Sequence, residues 1–414
     1  MTARSRAPDA HPPTAGSAGQ VAARLRAIGP MTRSEIGSTM GLSRTTVSAT
    51  VAQLMADGWV KERPASGTVM GPGRPATVLT LTRQAGIAIG VDLGRSHARV
   101  VLADLGHEVL AEQSLELPED RDAAEAFGAV EALVAAVVAA AGADLAEVVG
   151  IGLGLPAPLD TSGHATSITI PPDWVREDPA QALAQRLGIP VTVDNDANLG
   201  ALAEARWGAG RRFDTLFYVK ASTGIGAGLV FQGRLFRGTA GTAGEIGHVT
   251  VHDNGLVCRC GSRGCLEVAV GGPALVAQVG HNRAGITSLS ELIAAALGGD
   301  LACSRILADA GDTLGVAIAT VLNILNPDRV ILGGELGGAG ELVLASLRES
   351  LGRHALPSAL RSSSIVHSQL GQRAEALGAV LLVLTEAERF VPAAGRRARG
   401  RTTALQRQAT EGGH

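Results

Sequence analysis

Aromatic side chains are almost missing from this 414-residue chain: one Tyr, three Trp and six Phe make up 2% of it. Its core must therefore be built mainly from Ala, Val, Leu and Ile. Lysine is scarcer still, with only Lys61 and Lys220 among the basic residues; with the abundant Ala and Gly, this bias points to a GC-rich genome rather than to a function. Cysteine is limited to four residues, most of them in one metal-type cluster, which suits a reducing cytoplasm better than a disulfide framework. No apolar signal region follows the start, and no apolar run approaches the ~20 residues of a membrane span. The expectation is a soluble, cytoplasmic protein without a membrane partner.

What is present suits a compact α/β protein of two or three domains, with 46% hydrophobic residues and 54 glycines. The net charge of −3 is unevenly placed. Residues 1–83 hold ten Arg or Lys against four Asp or Glu, so the rest of the chain is strongly acidic. A basic end on an acidic body is the asymmetry expected where one end meets a polyanion.

Residues 1–17 are rich in Ala, Pro, Ser, Thr and Gly and are expected to be disordered. From there Val21, Leu25 and Ile28 recur at helix spacing until Gly29-Pro30. Thr32-Arg33-Ser34-Glu35 is a capping box opening a second helix through Ile36 and Met40. Gly41 turns the chain, and Ser43 caps a third helix with an apolar stripe of Val47, Val51, Leu54 and Met55. Trp59–Arg63 and Thr77–Thr82 read as wing strands. This is a winged helix-turn-helix over residues 18–83, whose second helix of the unit enters the major groove of double-stranded DNA. Ser43, Arg44, Thr45, Thr46 and Ser48 on that helix, with Arg33, are the expected DNA contacts, and Arg74 in the wing loop is placed for a minor groove. A three-helix protein-binding module is the alternative.

Beyond Arg83 the pattern becomes strands: Ile87–Asp92, Ala98–Asp104 and Val109–Leu115, then a helix over Ala123–Ala141 and a strand at Val148–Leu153. The theme of strand, glycine turn and strand returns at Thr215–Lys220 and Gly226–Phe231. Asp194-Asn195-Asp196-Ala197-Asn198 follows an apolar strand, Ile189–Val193, where carboxylates face the crevice of an open sheet; a helix cap is the structural alternative. His248, Cys258, Cys260 and Cys265 offer one imidazole and three thiolates, a closed tetrahedral set for structural Zn²⁺. Buried small residues or a disulfide are the alternatives.

Several of these motifs carry a family resemblance. Glu245, Gly247, His248, Cys258, Cys260, Gly261, Gly264, Cys265, Leu266 and Glu267 match the zinc signature of the ROK family (repressors, open reading frames and sugar kinases). Ser222–Leu229 and Asn326–Gly334 are similar to its glycine loops, and the resemblance spans roughly residues 85–388. It implies an α/β fold: the winged helix followed by a two-lobed, duplicated, actin-like body with a zinc-binding loop. The lobes fall at 84–205 and 206–388, with the C-terminal helix returning to the first lobe and a basic tail at 389–414. By the same resemblance Asn195, Asp196, Glu245, His248 and Glu267 bind sugar hydroxyls, and Asp196 matches the general base of the kinases.

The phosphate side departs from the pattern. Asp-x-Gly-Gly-Thr becomes Asp92-Leu93-Gly94-Arg95-Ser96, so Asp92 and Gly94 are remnants and Arg95 crowds the cradle. Thr223, Gly224 and Gly226, with Gly333 and Gly334, keep the other loops. The expectation is a sugar-responsive, DNA-binding regulator and not an enzyme, acting as a homo-oligomer (a dimer or tetramer) on an operator. An ATP-dependent sugar kinase with an appended DNA module is the alternative.

Overall fold

A computed structural model of the chain describes residues 13, 15–65, 77–119, 121–160, 162–165, 178–279 and 285–385. Its head comprises α1 (Gly16–Ile28), α2 (Arg33–Met40), α3 (Arg44–Ala56) and an antiparallel ribbon of β1 (Val60–Pro64) and β2 (Thr77–Leu81). Local chemistry sets these limits. Thr32 and Glu35 close a capping box on α2, and Gly41 ends it in the left-handed region at φ 65°. The Ser43 hydroxyl accepts from the Thr46 amide at 3.1 Å and starts α3. Such a cap contributes about 1 kcal/mol.

Val21, Leu25, Ile36, Val47, Val51 and Leu54 form the head's buried stripe as the spacing predicts, but Met55 does not belong to it and is exposed. The helix ends one residue later, so Met55 turns to solvent. α1 also begins inside the stretch expected to be disordered, because the Ser17 hydroxyl reaches that of Thr50 on α3 at 3.2 Å. Arg74, most of residues 1–17 and the tail at 389–414 lie outside the described residues.

The body holds two five-stranded sheets of identical plan. The first runs β5-β4-β3-β6-β7, from β3 (Ile87–Leu93), β4 (His97–Asp104), β5 (Val109–Glu116), β6 (Val148–Leu155) and β7 (Val191–Asn195). The second runs β10-β9-β8-β11-β12, from β8 (Thr215–Ala221), β9 (Ile225–Phe231), β10 (Arg234–Phe236), β11 (Arg329–Gly333) and β12 (Ser364–His367). In each, three antiparallel strands form a meander and two more add in parallel. The pattern read from sequence as a repeated theme is therefore a duplicated sheet. β7 runs two residues beyond the expected Val193, so Asp194 and Asn195 are strand residues.

Contrary to the expectation from sequence, two helices, Ala123–Ala140 and Leu301–Leu325, are long and apolar enough to cross a membrane, each with charged residues interrupting its apolar run. Each instead packs into a lobe: Phe127, Val130 and Val134 into the first core, Leu307, Leu314 and Ile318 into the second.

The helix Ala374–Thr385 lies on β3, β6 and the helix Asp196–Trp207, buried from Ala374 to Leu384. Glycine makes that approach feasible: a Cβ on Gly90 or Gly152 would stand 2.0 Å from the carbonyl of Ala376 or Ala379. α1 packs against the same helix, so Val21 and Leu25 of the head share one core with Leu377, Leu381 and Leu384. Each such buried aliphatic side chain contributes about 1.5–3 kcal/mol. Head and body are joined by packing as well as by chain.

Candidate functional site

Between the lobes the strand ends bring charge into contact. Lys220, near the end of β8, lies with its Nζ 2.8 Å from Asp196 Oδ2 and 3.9 Å from Asp92 Oδ1 on the opposite lobe. Asp92 also meets His97 Nε2 at 2.9 Å. All three members of the Lys220–Asp92–Asp196 group are buried. Burial alone would raise the Asp92 pKa, but Lys220 and His97 overcome it and hold the carboxyl at about 2. Burial works against the Lys220 charge as well, yet Asp196, Asp92 and Glu375 together hold its pKa well above the ordinary value. Asp196 is raised, chiefly by burial, despite its lysine partner.

Glu375 of the C-terminal helix completes the cluster and accepts from the Tyr218 hydroxyl at 2.8 Å. Burial raises its pKa to about 7. A carboxyl whose folded pKa lies above its unfolded one binds more protons when folded, so stability falls as pH rises from about 4.5 to about 7. Glu375→Gln keeps the hydrogen bond from Tyr218 and is expected to flatten that part of the stability–pH curve. Chemical denaturation at pH 5 and pH 8 checks this; an unchanged difference between the two would remove Glu375 as its source.

Two cavities flank Lys220. The larger, of about 620 Å³, is lined by Asp92, Thr223, Gly334, Glu335 and Glu375 among others. The smaller, of about 70 Å³, collects all five residues that the resemblance implies for sugar: Asn195, Asp196, Glu245, His248 and Glu267. Each has a second task. Asn195 caps the helix Asp196–Trp207 by accepting from the Asn198 amide at 3.2 Å and donates to the Ala157 carbonyl at 2.9 Å. Glu267 accepts from the Ile225 amide at 3.2 Å and from Arg259 at 2.7 Å. Glu245 is raised to about 7 by burial and by the nearby charges of Asp196 and Glu267. Asp194 turns away to Arg237, with 2.6 Å to its Nη2.

The phosphate-loop remnants separate. Gly224 and Gly226 line the small cavity, and Thr223 lines both. Gly333 packs on the Tyr218 ring, where a Cβ would stand 2.1 Å from its hydroxyl. In the first loop the His97 ring stands 2.3 Å from where a Cβ on Gly94 would sit, and Arg95 lines the small cavity beside Gly94, Gly224 and Gly226.

His248, Cys258, Cys260 and Cys265 place one ligand atom each within 4.8 Å of all the others. Nδ1 of His248 is 3.7 Å from the Cys258 sulfur, and the Cys260 and Cys265 sulfurs are 3.7 Å apart. Zn–S bonds of about 2.3 Å in a tetrahedron give S···S edges close to that figure. The four residues therefore fit a metal ion, and the other ring nitrogen, Nε2, faces Glu245 at 3.7 Å. An ion here would orient His248 toward the cavity.

On the head, Arg44, Thr45, Thr46 and Ser48 are exposed along the first turns of α3. The Ser43 hydroxyl is engaged as the cap and with Thr45 and Thr46 at 2.8 Å. Arg33 donates to Glu62 of the wing.

Sequence reasoning passed over Lys220, His97, Glu375 and Arg259. One signal was available: in a chain with two lysines, one of them ends an apolar strand.

Comparison with known proteins follows the same lines. Residues 88–386 match the profile of the ROK family. The xylose repressor of Caldicellulosiruptor bescii is 29% identical over 370 residues, covering 86% of this chain and 92% of that protein. A ROK family transcriptional regulator, a homolog of the Escherichia coli MLC protein, superposes with a TM-score of 0.68 at 26% identity, over 89% of this chain and 96% of the other. A ROK family glucokinase from Streptomyces griseus, solved with glucose and AMPPNP, reaches 0.64 at 30% identity over 72% of this chain and 99% of its own.

Proposed function

The chain belongs to the ROK family, and from that premise we propose that it is a sugar-responsive transcriptional repressor that binds operator DNA through its winged helix. The observation that carries this reading is the packing of that head on the helix Ala374–Thr385, which also lies against the sheet bearing Asp92 and supplies Glu375 to the cleft. A change in the lobes has a rigid route to the DNA-binding surface. The coverage of both head and body by the similar regulator, and the repressor name of the similar xylose protein, support the same conclusion.

In this reading Asn195, Asp196, Glu245, His248 and Glu267 hold the sugar. Zn²⁺ on His248, Cys258, Cys260 and Cys265 fixes the loop that delivers three of them. The small cavity, about 70 Å³, opens beside the larger one at Lys220 and Thr223, and a sugar that settles in it shifts the lobes or the zinc loop. Its differential affinity for the shifted state is what changes operator binding. The protein works in the cytoplasm as a homo-oligomer on a two-fold operator, with the head at 18–83 and the lobes at 84–205 and 206–388.

Kinase chemistry is disfavoured by the same geometry. A base for a sugar hydroxyl needs a free carboxylate, whereas Asp196 is paired to Lys220 at 2.8 Å. Phosphoryl transfer also needs an open phosphate cradle, whereas the His97 ring occupies the first loop.

Fluorescence anisotropy on the protein's own upstream DNA, at fixed salt and across a panel of sugars, tests the reading. One sugar is expected to shift affinity tenfold or so, about 1.4 kcal/mol of coupling. Tight DNA binding that no sugar alters would remove the sensor role. In the same assay Arg44→Ala is expected to weaken operator binding about tenfold or more while sugar binding is kept. Loss of both would mean a misfolded variant.

A further inference from the structure

Arg259 lies between Cys258 and Cys260, at the tip of a tight turn. The Gly261 amide donates to the Cys258 carbonyl at 3.0 Å, and the Cys258 amide donates to the Ser262 carbonyl at 2.8 Å. Gly261 closes the turn in the left-handed region at φ 90°, where a side chain would be strained. The residues on either side of Arg259 are thus two of the four whose ligand atoms gather within 4.8 Å. Its own side chain reaches the small cavity, where Nη2 donates to Glu267 Oε1 at 2.7 Å.

Glu267 is held from a second side. Its other oxygen, Oε2, accepts from the Ile225 amide at 3.2 Å, at the start of β9. Gly224 makes room for this contact: a Cβ there would stand 2.8 Å from Oε2. The carboxylate therefore bridges the cysteine turn and the glycine loop, with one fixed donor on each oxygen. An ionised carboxylate has about four acceptor sites, so these two bonds leave others for hydroxyl groups in the cavity. Only 13% of the Glu267 side chain is exposed, so its ion pair is screened less than a surface pair. Asp196 and Glu245 line the same cavity, and Arg259 brings a cation to Glu267 against their like charge.

We propose that Arg259 is a positioning residue of the sugar site: through its ion pair it passes the setting of the cysteine turn to Glu267, the carboxylate that meets a sugar hydroxyl. A carboxylate set in place beforehand avoids the cost of ordering it on binding. The inference rests on the sugar reading above and adds a route by which metal content and sugar affinity are linked. Residues that orient a ligating group commonly matter by tenfold or more without touching the ligand.

The test is a double-mutant cycle on the full chain, read by titration calorimetry with glucose, xylose and N-acetylglucosamine as probes. Metal content is measured for every variant. Arg259→Gln is expected to keep its metal and to bind the responding sugar about tenfold more weakly. In a Glu267→Gln background the same substitution is expected to change affinity by less than about twofold, because its effect runs through Glu267. Arg259→Lys keeps a charged donor and is expected to recover part of the loss; it also decides the matter should Arg259→Gln fail to fold. Wild-type affinity in Arg259→Gln overturns the proposal. So does a full tenfold loss in the Glu267→Gln background, which would make Arg259 a direct sugar contact. Metal lost from both Arg259 variants overturns it too, by making the residue part of the metal site. A wild type that binds none of the probes sinks the sugar reading and this proposal together, whereas failure in the variants alone leaves that reading standing.

Discussion

Cys260→Ser is expected to lose its metal, to melt modestly below the wild type and to bind sugar at least tenfold more weakly, all in one variant. The loop from Glu245 to Glu267 carries three of the five cavity-lining residues proposed to hold the sugar, and much of it outside the metal cluster is short turns and isolated bridges. With His248 and three cysteines within 4.8 Å of one another, an ion held there would be the cross-link that substitutes for a core. Structural zinc contributes roughly 10–16 kcal/mol to peptides that fold only around it. Here the lobe has its own apolar core, so the loss falls on the loop and on ligand geometry before global stability. Elemental analysis with calorimetry checks it: wild-type metal content in the variant would sink the zinc assignment, and unchanged sugar affinity would detach the loop from the pocket.

Asp196→Asn is expected to abolish the sugar response, with sugar affinity down a hundredfold or more, while operator affinity in sugar-free buffer stays at the wild-type level. Hydrogen bonds to a charged group are worth about 1.5–3 kcal/mol each, and a carboxylate facing a sugar makes more than one. The isosteric amide is preferable to alanine for a structural reason. Lys220 sits 2.8 Å from Asp196 and is buried, and stripping one partner from a buried pair costs about 3–5 kcal/mol. The amide oxygen still accepts from the ammonium, and Asp92 at 3.9 Å retains the countercharge. A retained response would remove Asp196 from the pocket. Lost DNA binding without sugar would show instead that the cleft and the head are one folding unit.

The legible features share a property: they are local. The capping box at Thr32, the left-handed Gly41 and the Ser43 cap lie within a few residues of what they determine. The thiolate spacing of Cys258, Cys260 and Cys265 is equally local, and so are the apolar runs and polar turns that mark β3 to β5. The single misplaced residue of the head's stripe, Met55, sits at a helix end, where periodicity loses its hold.

The charge cluster of the cleft was not legible, because its members arrive from separate elements: Asp92 on β3, Asp196 after β7, Lys220 on β8 and Glu375 on the last helix. In the sequence Arg95 marks the departure from the kinases' first loop. The folded chain adds the His97 ring beside Gly94 and an ammonium group between Asp92 and Asp196. By itself, then, the sequence determined the winged helix, the duplicated α/β body and the thiolate–imidazole cluster, since short-range sterics, hydrogen bonding and ligand spacing are written in neighbouring residues. Only the tertiary structure decided which carboxylate meets Lys220, because Coulomb interactions depend on distance in space and burial, not on distance along the chain.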